Sequence, residues 1–135
     1  MHILLVSPEL SPYQSASPVA ALTAGLAKAL RIAEHQVSVL APLHSNEDAK
    51  THSLARRLKK VQSPLDEQAL RWSFWDKSNT SGVQHLFLGQ EKLFAASETE
   101  AGVGDPLRYS AFCQAAHALI GIHDSDFDLI HIQGW

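Results

Sequence analysis

The stretch from Met1 to Ala33 limits what this chain can fold into more than any other. Ile3-Leu4-Leu5-Val6 is apolar at every position, so a strand there has no polar side to turn to water. It has to be a central strand with helices covering both faces of its sheet. Pro8 and Pro12 keep the next residues from closing into helix, because proline lacks an amide donor and restricts the residue before it. Ser17 stands where a helix N-cap belongs, and Pro18 follows at the first helical position with its φ already suitable. Val19, Leu22, Leu26, Ala29, Leu30 and Ala33 then recur at spacings of three and four, which predicts a buried stripe. The opening is therefore a strand over His2 to Ser7, a loop to Ser17, and a helix from Pro18.

Glu34-His35-Gln36 reads as a turn into a second strand, Val37 to Ala41, ended by Pro42. Strand, helix and strand in some forty residues make a βαβ unit with parallel strands and a right-handed crossover. From His44 to Ser63 the chain is polar and basic with no clear apolar period. Two readings stay open there, a turn or two of helix around Ser53 to Lys60 or a long surface connection. Gln68 to Trp75 and Val83 to Leu88 read as strands, and the polar, glycine-ended connector between them predicts a hairpin. Ser97 to Gly104 reads as a loop. Asp105-Pro106 starts a second helix with a stripe of Leu107, Ala111, Phe112, Ala115, Leu119 and Ile120, capped by Gly121. Phe127 to Ile132 reads as another buried strand. The alternation predicts an α/β fold: a three-layer, Rossmann-like, mainly parallel sheet with an added antiparallel hairpin. Ligands in such folds bind beyond the carboxyl ends of the strands, here Ser7 to Ser17, Pro42 to Ser45 and His131 to Trp135.

The 135 residues suit one domain spanning 1–135, and 45% hydrophobic with 19% charged residues is ordinary for a globular protein. A net charge of -3 gives no basic face for nucleic acid. The cluster Arg56, Arg57, Lys59 and Lys60 reads as a solvated helix or loop face. The lone Cys113 excludes a disulfide framework, reads as a core residue of the second helix, and fits a reducing cytoplasm. No apolar run approaches a membrane span. His123, Asp124 and Asp126 read as a solvated turn rather than metal ligands, so neither metal nor cofactor is expected. His117 reads as a half-buried surface residue of the second helix. No Walker segment, G-x-G-x-x-G or nucleophile elbow occurs.

SPELSPYQSASPVAALTAGLAKAL followed by HQVSVLAPL resembles the start of bacterial glycogen and plant starch synthases, the retaining GT-B glucosyltransferases. Ser7, Glu9 and Pro12 match that family's Ser-x-Glu-x-x-Pro loop, Lys28-Ala29-Leu30 match its helix, and Val37, Val39, Leu40 and Pro42 match its second strand. GVQHLFLGQEKLF, DPLRYSAFCQAAHAL and FDLIHIQGW are similar to later family segments, with Arg108, Tyr109, His131 and Trp135 in register. The resemblance spans the chain and implies the first half of a GT-B N-terminal domain. A full-length chain would transfer glucose from a nucleotide sugar to an α-glucan.

The departures from that pattern shape the functional expectation. At the family's Lys-Thr-Gly-Gly stand Ser15, Ala16, Ser17 and Pro18, and Gln133 and Gly134 replace the histidine and aspartate before the last tryptophan. Serine for lysine deletes a cation that would neutralise phosphate, and Pro18 deletes an amide at a helix start that would otherwise hold an anion. The candidate substrate-binding residues implied by resemblance are Glu9, Ser15, Ser17 and His131. Each keeps a second reading: Glu9 as a loop anchor, Ser15 as a loop residue, Ser17 as a helix cap, His131 as a core histidine. No catalytic residue is assigned, and the chain alone is expected to be inactive. The alternative is a non-catalytic module that forms homo-oligomers or binds a partner protein through an exposed sheet edge.

Overall fold

A computed structural model describes residues 1–14, 17–65, 67–94 and 105–134. In chain order the elements are β1 (His2–Val6), α1 (Pro18–Ile32), β2 (Gln36–Leu43), α2 (Asn46–Thr51), β3 (Ala55–Leu65), β4 (Gln68–Ser78), β5 (Gln84–Gly89), α3 (Glu91–Phe94), α4 (Asp105–Ile122) and β6 (Leu129–Ile132). One six-stranded sheet runs in the order β3-β4-β5-β2-β1-β6. The pairs β2/β5, β1/β2 and β1/β6 are parallel, while β4 runs antiparallel to both β5 and β3. The fold is the expected α/β sheet.

Alternation along the strands sorts the core into two layers. Ile3 and Leu5 of β1 join Val37, Val39, Ala41, Leu43 and Phe87 in the layer beneath α1, reached by Ala27 of that helix. Leu4 and Val6 point the other way, with Leu40, Leu86 and Leu88, onto Phe112, Ala115 and Leu119 of α4. Two buried faces on one strand explain why its sequence has no alternation.

Several sequence expectations fail locally. The stripe of α1 is displaced in part: Ala20, Thr23 and Ala27 are buried, while Leu22 is 64% exposed and Ala29 is exposed too. Small alanines let the helix axis approach the sheet, Leu26 and Leu30 stay partly buried against the same layer, and Leu22 is left outside. β2 continues through Pro42 to Leu43, because the β1/β2 ladder has already ended at the Val6–Leu40 pair. Nothing on the β1 side then needs an amide from Pro42.

The segment expected as helix around Ser53 to Lys60 or as surface loop is instead α2 followed by the edge strand β3. Its basic cluster lies on that strand, and the register shifts between Arg57 and Val61. This bulge pushes Leu58 out to 97% exposure. Charges on an edge strand oppose strand addition by another molecule. Lys59 also ties the hairpin to α4, pairing with Asp124 at 2.7 Å and donating to Ile122 O at 2.9 Å. Cys113 is exposed rather than buried, and His117 is exposed as well. Both lie on the side of α4 away from the stripe of Phe112, Ala115 and Leu119. Gly121 falls inside the last turn of α4, not beyond it. β6 is exposed at all four positions, so neither face of this edge strand is covered. The loop expected over residues 97–104 lies outside the described residues, as do Ser15 and Trp135. No helix among the described residues is long and apolar enough to cross a membrane.

Polar groups that are buried in this sheet find partners. Trp72, 4% exposed, donates Nε1–H to Ser63 Oγ at 2.7 Å across the β3/β4 hairpin. Trp75 Nε1 donates to Ser73 Oγ at 2.9 Å, and Ser73 in turn reaches Gly89 O at 3.2 Å. A Cβ on Gly89 would lie 2.5 Å from that hydroxyl, which only a glycine permits. Gly89→Ala is therefore expected to displace Ser73 and cost about 1–3 kcal/mol in urea unfolding. An unchanged midpoint would show that the strand end yields freely.

His85, 5% exposed, binds Tyr13 Oη through Nδ1 at 2.8 Å and Asn79 Nδ2 through Nε2 at 3.2 Å. Burial, and then the charge of Lys77, lowers its pKa from 6.5 to about 4. A histidine that resists protonation when folded makes the unfolded chain bind more protons between those values. Stability from this group is then complete above about pH 6.5 and is lost as pH falls toward 4, by up to about 3 kcal/mol. Urea titrations across this range should show that slope, and His85→Gln should flatten it. Equal slopes in both proteins would contradict the assignment.

Candidate functional site

The carboxyl ends of β1, β2 and β6 open on one side of the sheet, and the chain after β1 crosses that opening before entering α1. Leu10 is fully buried and anchors this crossing segment. Its amide donates to Gln14 Oε1 at 3.0 Å, and Tyr13 N and Gln14 N both return to Leu10 O at 3.0 Å. The Ser11–Pro12 peptide is cis.

A buried hydroxyl in α1 holds the rim together. Thr23 Oγ1 lies 2.9 Å from Ser7 Oγ, 2.9 Å from Val19 O and 2.5 Å from Gln133 Oε1. It thereby links the ends of β1 and β6 to the helix between them. Ser7 Oγ also donates to Glu9 O at 2.8 Å, and Gln133 N donates to Val6 O at 2.8 Å. Gly134, at φ +81°, passes with its Cα against Pro8, where a Cβ would come 3.3 Å from the proline ring. Thr23 carried no signal in the sequence, because a single threonine in an amphipathic helix looks like any flank residue.

The charged groups gather beside the Ser7–Leu10 segment. Glu9 is half-buried, and its Oε2 is buried without a hydrogen-bond partner. His44, just past β2, donates Nε2–H to Pro8 O at 3.4 Å and meets Phe94 edge-on at 5.5 Å between ring centres. Burial pushes the His44 pKa down; the Pro8 carbonyl and Glu9 oppose this, while Arg108 reinforces it. The imidazole is therefore held neutral at pH 7. Arg108 spreads its guanidinium over Phe94 at 5.6 Å and Tyr109 at 5.7 Å. A carboxylate, a neutral imidazole and a guanidinium on one rim suit the binding and orienting of hydroxyl groups.

The candidates taken from the sequence do not converge. Glu9 sits on this rim. Ser17 Oγ caps α1 by accepting from Ala20 N at 3.3 Å, and Pro18 occupies the first helical position. Ser15 lies outside the described residues. His131 is exposed on β6, opposite Leu5 of β1, and is no core histidine. It is exposed because no helix of the described chain covers that edge.

Known proteins share this architecture. The chain superposes on the catalytic domain of starch synthase IV from Arabidopsis thaliana bound to ADP and acarbose, with a TM-score of 0.83 at 21% identity. That match covers 97% of this chain and 27% of the plant chain. Glycogen synthases from Geotalea uraniireducens (strain Rf4) and Koribacter versatilis (strain Ellin345) are 24% and 25% identical over the whole of this chain. The chain spans only 29% and 28% of those two relatives. The family model described as starch synthase catalytic domain matches residues 2–135, and the chain belongs to that family.

Proposed function

We propose that this chain is a glycogen/starch synthase-type segment that does not transfer glucose by itself. In a full-length chain of this family the reaction would be glucosyl transfer from a nucleotide sugar to an α-glucan. The observation that carries this reading is the corner where the β1 loop enters α1. An anion at a helix start needs free amides and, for a diphosphate, a cation. Here Pro18 has no amide to offer, and the Ala20 amide is already taken by Ser17 Oγ. The basic residues of α1, Lys28 and Arg31, lie toward its other end, and Arg31 donates to His35 O at 2.7 Å. Of the amides in the first turn, that of Val19 is the one left to face a ligand. One amide and a hydroxyl-rich loop do not balance two phosphate charges. The Glu9, His44 and Arg108 rim is the place where sugar hydroxyls would be met.

A second reading is favoured by β6. Leu129, Ile130 and Ile132 are 46%, 46% and 62% exposed on an unpaired parallel edge. A second copy of the chain is the partner that fits: β6 against β6 about a two-fold axis sets the same apolar residues opposite one another. In that reading the chain is a self-associating module built on the same sheet.

Calorimetry separates the possibilities. The 135-residue chain should show no ADP binding tighter than about 1 mM and no transfer from ADP-glucose to maltooligosaccharides. Micromolar ADP binding would overturn the first reading. In sedimentation, a dimer that Ile132→Lys converts to monomer would favour the second, and a monomer at all concentrations would remove it.

A further inference from the structure

A second cavity, of about 320 Å³, lies apart from the rim, between the Tyr13 loop, α1 and the β4–β5 turn. Its hydrogen-bond polarity follows from the turn outward. Asn79 Oδ1 accepts from Ser81 N at 3.0 Å, Ser81 Oγ at 2.7 Å and Val83 N at 2.9 Å. Backbone amides only donate, so the Asn79 oxygen must face them and its amide nitrogen must face His85. That nitrogen is itself a donor, so His85 Nε2 accepts and the ring proton sits on Nδ1. Nδ1–H then donates to Tyr13 Oη. The Tyr13 hydroxyl proton is therefore not spent on His85, and Tyr13 is one of the residues that line the cavity.

Lys77 lines the same cavity and spends one of its three protons on His52 O. No aspartate or glutamate is among the lining residues, which are otherwise rich in serine and threonine hydroxyls. The fixed groups therefore present donors, Tyr13 O–H and the remaining ammonium protons, with no charged acceptor to answer them. An anion also answers the ammonium charge directly, which a neutral polyol cannot do. The Tyr13 ring is held in place by edge-type contacts with His52 and Phe87 at 4.7 and 4.6 Å between ring centres.

We propose that this cavity is a binding site for a small phosphate-type anion, held by the Tyr13 hydroxyl and the Lys77 ammonium, with His85 as the positioning residue that aims the tyrosine proton. The volume leaves room for a free phosphate or for the phosphoryl group of a small metabolite. The proposal does not depend on the transferase reading, since it uses none of Glu9, His44 and Arg108.

NMR on the 135-residue chain tests it. Long-range proton–nitrogen spectra at pH 7 should show the His85 proton on Nδ1; a proton on Nε2 would overturn the inference. Titration with inorganic phosphate, and separately with glycerol phosphate, should shift the Ser81 amide and the His85 ring with millimolar affinity. Tighter binding of the ester would identify a phosphorylated metabolite as the source, and equal binding a free phosphate. Tyr13→Phe keeps the packed ring and should weaken binding about tenfold, and Lys77→Gln should do likewise. No shift at about 20 mM phosphate, equal binding by glucose, or full affinity in both variants would each contradict the site.

Discussion

Everything in this chain follows from β1 and β2 being covered on both faces at once. Ile3 and Leu5 need α1, Leu4 and Val6 need α4, and a parallel neighbour can be reached only by a crossover long enough to hold a helix. With β1, β2 and β6 running parallel, the loops that follow them have to emerge at the same end of the sheet. The rim of Ser7, Glu9, His44 and Gln133 is the consequence of that geometry. Thr23 then ties the loop ends to the helix they feed, at the same place where a ligand would approach.

The antiparallel strands do a different task. β4 extends the sheet past β5, and β3 closes that side with an edge made unattractive by Arg56, Arg57, Lys59 and Lys60 and by the bulge at Leu58. The opposite edge has no such protection. β6 instead exposes leucine and isoleucine side chains along its edge.

The parallel core was legible because its signals are strong and local. Continuous apolar runs mark strands buried on both sides, and Ser17-Pro18 marks a helix start whatever the tertiary context. The errors lie where tertiary contact decides. The helical period of α1 fits a stripe through Leu22 as well as one through Ala20, and only the close approach to the sheet selects the small residues. β3 was hidden because its charges break the strand pattern that a covered position would show. β6 and His131 were misread because apolar composition implies burial only if something is there to bury it. The Asn79–His85–Tyr13 chain joins a turn and the strand after it to a loop far away in sequence, so no spacing rule could announce it.

The central functional proposal is that the start of α1 holds no diphosphate, because Ser17 caps the helix and Pro18 has no amide to offer. The amide resonances of Val19 and Ala20 during an ADP titration test it most directly. The account predicts that both stay where they are while ADP reaches millimolar concentration. Saturable movement of the Val19 amide, together with loss of the Ser17 cap hydrogen bond, would contradict it.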